Sequence, residues 1–481
     1  ENEFYIDNDF PLTQNVEVIS SRKTIVGDFN NDGLSDLFFC GNKVSDRLYL
    51  NKGDFKFEDV SNTSGISKSS DFWSTGVTVV DINRDNLMDI YVCRGGDLPN
   101  IQRANAFYIN QGDGSFKNMA KELGLADQGH STQAAFFDFD LDGDLDVYVV
   151  NHPGSFDEKR PRNYLDKRGL YSDRLYENQD GVFVDVSAKA GLESDKYGFG
   201  LGIAVSDFNQ DGYPDIYVSN DFFEHEFFYI NQGDGSFKQN IHQVMKHTSF
   251  FSMGCDMADY DNDGLIDIIS VDMVAEDNLR QKNQMAGMNP DIFWQAVKEG
   301  LHYQYMYNAL QRNNGNGTFS DLANYSGITN TDWSWAPLFA DFDNDGFKDL
   351  FISNGFLRDV RYKDSKVKMK NVNGKKVLAM TPVEFYTAYP STPIKNYCFQ
   401  NSPEFKFKNV SHKWGLAEED FSNGAVYADL NNDGFLDLVL NNLESKASVF
   451  RNKGNQNNFL KVQLDGPYTG AVVELVMQDG S

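Results

Sequence analysis

Apolar and polar residues alternate along this chain in short runs, and each run is bounded by glycine, asparagine or aspartate. DLFFCGN at 36–42, RLYLN at 47–51 and STGVTVV at 74–80 are representative. Such runs read as strands joined by tight turns. They recur in a fixed order. A first run, such as STGVTVV at 74–80 or GLGIAVS at 200–206, leads into an acidic loop. A second follows that loop, as in DIYVSND at 215–221. A third ends in asparagine: RLYLN at 47–51, AFYIN at 106–110, RLYEN at 174–178 and FFYIN at 227–231. Degenerate copies of it are ALQRN at 309–313, YCFQN at 397–401 and SVFRN at 448–452. A glycine-rich turn, QGDGSF at 111–116 and again at 232–237, often comes next. The fourth run is FEDVS at 57–61 or FVDVS at 183–187. Four strands repeated seven times predict an all-β chain folded as a seven-bladed β-propeller over 1–455.

The acidic loop follows D-x-[DN]-x-D-[GN]-x-x-D and begins at Asp28, Asp81, Asp138, Asp207, Asp259, Asp341 and Asp429. The spacings are 53, 57, 69, 52, 82 and 88 residues. The short ones set the unit, and the long ones carry insertions at about 152–173, 274–307 and 356–395. The fourth-run phenylalanine precedes the next loop by 22 or 24 residues, as in Phe57 to Asp81 and Phe116 to Asp138. Phe4 stands 24 residues before Asp28. Residues 4–8 are therefore expected as the outermost strand of the last blade, beside 448–452, closing the ring without a free edge.

Oxygen-bearing side chains fill positions 1, 3, 5 and 9 of each loop, and the turn at position 6 is Gly in six copies and Asn86 in the second. This many hard oxygens suits Ca²⁺, with the position 7 carbonyl as a further ligand; Mg²⁺ prefers a smaller octahedral site and keeps its waters. The candidate ligands of the first loop are Asp28, Asn30, Asp32 and Asp36 with Leu34. Those of the second are Asp81, Asn83, Asp85 and Asp89 with Leu87. The third offers Asp138, Asp140, Asp142 and Asp146 with Asp144, and the fourth Asp207, Asn209, Asp211 and Asp215 with Tyr213. The fifth offers Asp259, Asp261, Asp263 and Asp267 with Leu265. The sixth has Asp341, Asp343, Asp345 and Asp349 with Phe347, and the seventh Asp429, Asn431, Asp433 and Asp437 with Phe435. Up to seven Ca²⁺ are expected, as structural staples and not as catalysts. The plainer reading, solvated hairpin tips, does not account for seven copies in register. The loop starts like an EF-hand, but its last acid is at position 9 and a strand follows it. The second loop, with Asn86 for glycine, is expected to bind most weakly.

Charge and composition narrow the function. The 481 residues carry a formal charge of −28, which disfavours nucleic acid and anionic membrane as partners. Hydrophobic residues make up 40% and aromatics 14%, ample for a core. No apolar run is long enough to span a bilayer. Four cysteines cannot form a disulfide framework; Cys40 and Cys93 share a repeat position and read as small core residues, and no disulfide is expected with Cys255 or Cys398. No G-x-S-x-G, H-E-x-x-H, C-x-x-C or Walker pattern occurs. His152 and His225 fall near strand-two ends, and Trp333 and Trp335 fall where they would line the channel mouth or pack in the core. No signal peptide is visible, so the chain reads as a mature form.

All three insertions fall between the second and third strands, which puts them on the face opposite the acidic loops. Loops on a rigid scaffold are the usual place for function. Residues 356–395 hold nine bases and three acids, fit to dock an acidic partner or simply to stand in solvent. NPDIFWQAVKEGLHYQYMY at 289–307 supplies aromatics that either stack on sugar or peptide or pack as a small helical core.

The repeats resemble the FG-GAP (VCBS) repeats of integrin α-chain propellers. More narrowly, the chain is similar to bacterial, Bacteroidetes-like members of the cartilage acidic protein (ASPIC/UnbV) group. SMGCDMADYDNDGLIDIISVDM at 252–273, LRQKN at 279–283 and TDWSWAPLFADFDNDGFKDLFISNG at 331–355 carry that likeness. Residues 456–481 resemble the start of a small C-terminal ASPIC/UnbV β module. The resemblance implies an exported, calcium-binding propeller at a Gram-negative cell surface or outer membrane, with a lipid anchor plausible. It implies no particular reaction. The expected function is non-catalytic binding or scaffolding of a protein or glycan, with an outer-membrane complex among the expected partners. The alternative is a polysaccharide lyase or hydrolase on the same scaffold.

Overall fold

The runs that follow the acidic loops carry apolar residues at successive positions, and they become strands buried on both faces. Asp89–Arg94, Asp146–Asn151 and Asp349–Asn354 are buried at every position. Side chains alternate between the two faces of a strand. Ile90 and Val92 therefore pack with Phe38 and Leu48 of the preceding sheet, and Tyr91 and Cys93 with Val147 and Val149 of the following one. In a computed structural model, which describes residues 4–6 and 23–462 apart from 43, 67–71, 97, 154–170, 193–197, 223, 285–289, 366–367, 373–374 and 444, this pattern repeats around a ring.

Seven four-stranded antiparallel sheets form the blades of a propeller. Blade 1 runs Thr24–Gly27, Asp36–Phe39, Arg47–Asn51 and Phe57–Asp59 from inside outward. Blade 7 combines Ser422–Ala428, Asp437–Asn442 and Ser448–Asn452 with Phe4–Ile6 from the other end of the chain. Phe4 pairs with Asn452 and Ile6 with Phe450, as the Phe-to-Asp spacing requires. Leu37, Phe39 and Tyr49 of blade 1 pack on Leu430, Val439 and Val449 of blade 7, so the last seam has a core like the others.

Because each acidic loop joins the first and second strands and each insertion joins the second and third, the two sets leave opposite ends of the sheets. The blade 5 insertion contains helices Asn278–Gln284 and Pro290–Lys298 and a short strand, Gln304–Tyr305, parallel to Thr248–Ser249. That of blade 6 contains the hairpin Met369–Val372 and Lys375–Leu378 and the helix Pro382–Thr387. The two touch: Arg280 pairs with Asp359 at 3.4 Å, and the Lys363 N–H donates to the Asn283 carbonyl at 3.1 Å. Most of the blade 3 insertion (154–170), Lys366 in the blade 6 insertion and all of 463–481 lie outside the described residues.

Lys23, Thr75, Thr132, Leu201, Met253, Trp335 and Asn423 converge where the innermost strands begin and leave a cavity of about 30 Å³, near the size of one water. Trp335 is buried there and donates its indole N–H to the Gly355 carbonyl at 2.6 Å, while Trp333 stacks on Phe356 at 4.2 Å. Cys40, Cys93, Cys255 and Cys398 are free thiols.

Candidate metal centre

The loop backbone is held by its own carboxylates. At position 1, Asp28 accepts the N–H of Asp32 at 3.1 Å and of Gly33 at 2.8 Å. Asp207, Asp259, Asp341 and Asp429 repeat both bonds at 2.8–3.0 Å. At position 5, Asp32 accepts the N–H of position 7, Leu34, at 3.0 Å, and Asp263 does the same for Leu265. The position 6 residues are left-handed, from φ 64° at Asn86 to φ 97° at Gly143. Asn86 donates its N–H to Asp81 at 2.9 Å just as the glycines do to their own Asp, so the second loop keeps the common turn.

Position 9 makes hydrogen bonds that the sequence did not reveal. Asp36 accepts the N–H of Phe29 at 2.9 Å and that of Asn51, the end of the third strand, at 2.7 Å. Asp89, Asp146, Asp215, Asp267, Asp349 and Asp437 each take the N–H of the matching asparagine at 2.7–3.0 Å. A carboxylate has lone pairs beyond two such bonds, so the residue joins loop to strand and still offers oxygen to a cation. Burial, reinforced by neighbouring loop carboxylates, raises Asp36, Asp89, Asp215 and Asp437 to about 7 and Asp146 and Asp267 to about 8.

The asparagine amides bridge blades. Asn51 donates to the Leu430 carbonyl at 2.8 Å, from blade 1 to blade 7, and Asn110 to the Phe29 carbonyl at 2.9 Å. Equivalent bonds run from Asn231, Asn313, Asn401 and Asn452 to Phe139, Phe208, Tyr260 and Phe342. Among the described residues the Asn178 amide bonds only within its own blade, to the Leu145 carbonyl at 3.3 Å.

Among the described residues, three carboxylates converge in each of the loops of blades 3, 5 and 6. Oxygens of Asp138, Asp140 and Asp146, of Asp259, Asp261 and Asp263, and of Asp341, Asp343 and Asp349 lie within 4.8 Å of one another in each group. Buried oxygens without a partner, Asp138 Oδ1, Asp144 Oδ1, Asp261 Oδ1 and Asp343 Oδ1, belong to these same loops. Orphaned buried carboxylate oxygens of this kind fit a hard cation such as Ca²⁺. In the other four loops position 3 is asparagine, and the amides of Asn30, Asn83, Asn209 and Asn431 donate to the position 5 carboxylate at 2.7–3.0 Å.

On the opposite face, the aromatics of 289–307 divide between packing and exposure. Phe293 stacks on Tyr305 at 5.6 Å, whereas Trp294 is 54% and Tyr303 41% exposed, with ring centroids 6.5 Å apart. His225 is buried with Nδ1 2.8 Å from the Glu226 carbonyl, and His152 lies with Nδ1 2.6 Å from that of Pro153, so both hold turns. Glu226 is itself buried, and burial raises its carboxyl to about 7 beside Tyr217, Ser252 and Ser270.

A sequence model described as the FG-GAP-like repeat matches residues 28–92, 98–149, 207–270 and 289–352. The chain is 25% identical over 428 residues to cartilage acidic protein 1 of Mus musculus, covering 80% of this chain and 61% of that protein. It is 26% identical over 235 residues to cartilage acidic protein 1 of Xenopus tropicalis, covering 48% of this chain and 33% of that protein. The chain thus spans less than two thirds of the length of these curated relatives. Among solved structures, BBS1N in complex with ARL6DN aligns at TM-score 0.46 and 9% identity, over 93% of this chain and 96% of that one.

Proposed function

The chain belongs to the FG-GAP-like repeat family, and on that premise we propose that it is a calcium-stapled, non-catalytic module that holds a protein or glycan outside the cell. Among the described residues no helix is long and apolar enough to cross a membrane. The orphaned oxygens of Asp138, Asp144, Asp261 and Asp343 support the calcium part of this reading. Bound calcium would neutralise loop carboxylates that otherwise repel one another. The chain's own residues do the rest: positions 1 and 5 fix the turn, position 9 ties it to the third strand, and the asparagine amides carry that order to the preceding blade.

The observation that carries the binding part is the insertion face. The blade 5 and blade 6 insertions are joined through Arg280–Asp359, and they expose Trp294 and Tyr303 on a scaffold whose other face is committed to the acidic loops. Aromatics of this kind are the usual anchors of interfaces. Cross-linking of the intact chain in its native membrane tests the reading. Cross-links should map to 274–307 and 356–395, and replacing Trp294 and Tyr303 together with alanine should weaken capture of the same partner at least tenfold. Cross-links on the acidic-loop face, or capture unaffected by the double replacement, would overturn it. Cleavage of a polysaccharide by the purified chain would replace it with the enzymatic reading.

A further inference from the structure

The residue that precedes the closing asparagine of the third strand lies beside the acidic loop, because position 9 anchors that asparagine against the loop. In blade 5 it is Arg312. Its Nε donates to Asp261 Oδ2 and its Nη2 to Asp263 Oδ2 at 2.7 Å, which are positions 3 and 5. The Phe405 ring flanks the guanidinium at 5.5 Å, and the Asp261 side chain is buried beneath it. In blade 7 the same place holds Arg451, 3.6 Å from Asp433. In blade 6 it holds Gln400, whose neutral amide donates to Asp343 at 2.7 Å. In blade 3 it holds Glu177, which precedes Asn178 in the third strand as Arg312 precedes Asn313 in blade 5. Blades 1, 2 and 4 carry Leu50, Ile109 and Ile230 there.

One strand position therefore places a positive charge at two loops, a negative charge at one, and none at the other four. We propose that this position sets the order of cation affinity around the ring, with the blade 3 loop tightest and those of blades 5 and 7 weakest. The inference rests on the calcium reading above. A unit charge a few ångströms from a divalent ion, where water is partly excluded, changes affinity at least tenfold. Loop 3 gathers Asp138, Asp140, Asp142, Asp144, Asp146 and Glu177. Arg84 of the neighbouring loop, bonded to the Gly143 carbonyl, and Lys189, 3.6 Å from Glu177, offset only part of that excess. Loop 5 has its position 3 and 5 charges already shared with Arg312, while Asp261 Oδ1 stays without a partner. Arg312 thus weakens the cation site without filling it.

The test is a titration of the calcium-stripped full chain with calcium alone against a chromophoric chelator. Arg312→Leu, which installs the blade 1 residue, should raise the affinity of one weak site at least tenfold, and Arg312→Lys should leave it weak. Without calcium, Arg312→Leu should melt below the parent, and calcium should restore it. Glu177→Gln reports on a different loop and should weaken the tightest site at least fivefold, so the idea stays testable if Arg312→Leu fails to fold. If the parent binds calcium and Glu177→Gln and any folded Arg312→Leu leave every stepwise affinity unchanged, this inference is wrong and the calcium reading stands. If the parent binds fewer than three ions, the calcium reading itself fails.

Discussion

Replacing Leu141 with asparagine should stabilise the ring. Position 4 is left-handed in every loop, with φ between 52° at Asn344 and 60° at Leu141 and Asn262. In six loops its side chain donates to the position 6 carbonyl of the next blade. Asn31 bonds Asn86, Gln210 bonds Gly264, Asn262 bonds Gly346, Asn344 bonds Gly434 and Asn432 bonds Gly33, at 2.9–3.2 Å, and Arg84 bonds Gly143. Leu141 has nothing to donate, so among the described residues the seam between blades 3 and 4 lacks this link. The acceptor waiting across it is the Gly212 carbonyl. A left-handed L-residue costs about 1–2 kcal/mol, much of which asparagine recovers through its local hydrogen bonding. A new exposed hydrogen bond adds about 0.5 kcal/mol, the low end of the net range. Leu141 is 51% exposed, so the apolar burial surrendered is about 0.5–1 kcal/mol. The balance is a gain of about 1 kcal/mol, or a rise of about 1–2 °C in Tm for a fold of this size. Scanning calorimetry on Leu141→Asn and Leu141→Ala measures it, since alanine gives up the same burial with neither gain. A melting temperature for Leu141→Asn no higher than for Leu141→Ala would refute the reasoning.

Two further outcomes follow from the same structure. Deleting residues 1–10 removes the strand that pairs Phe4–Ile6 with Phe450–Asn452, leaves blade 7 with an open edge, and should lower the melting temperature of the whole ring; an unchanged value counts against closure by that strand. Glu226 faces Tyr217, Ser252 and Ser270 with Asp272 nearby, and burial raises its carboxyl from 4.5 to about 7. A raised acid favours the folded state below its unfolded value, and that contribution is lost as pH climbs from about 4.5 through about 7. Glu226→Gln should therefore flatten that part of the stability profile and gain up to about 3 kcal/mol over the parent at pH 8, read from urea midpoints at pH 5 and pH 8.

The repeats, the strand order and the closing strand were legible because each depends on spacing along the chain. The interval from Phe57 to Asp81 is fixed by two strands and the connection between them, and the same interval identified Phe4. The acidic loops were legible because their side-chain oxygens recur at the same positions in seven copies. What depends on neighbours in space was not. Position 9 looked like a ligand and no more, because its bond to Asn51 crosses two strands. Position 4 looked like an arbitrary turn residue, since its acceptor lies in the next blade. ALQRN at 309–313 looked like a worn copy of its repeat, and its arginine is the residue that reaches Asp261 and Asp263. The aromatics of 289–307 allowed either packing or display, and burial alone separates Phe293 from Trp294.

Calcium content of the intact chain, measured by elemental analysis after dialysis against micromolar calcium with millimolar magnesium present, tests the account most directly. Seven loops in one register, three of them with convergent carboxylates, predict between three and seven calcium ions per chain, not displaced by magnesium. Fewer than three calcium ions, or magnesium in their place, would contradict it.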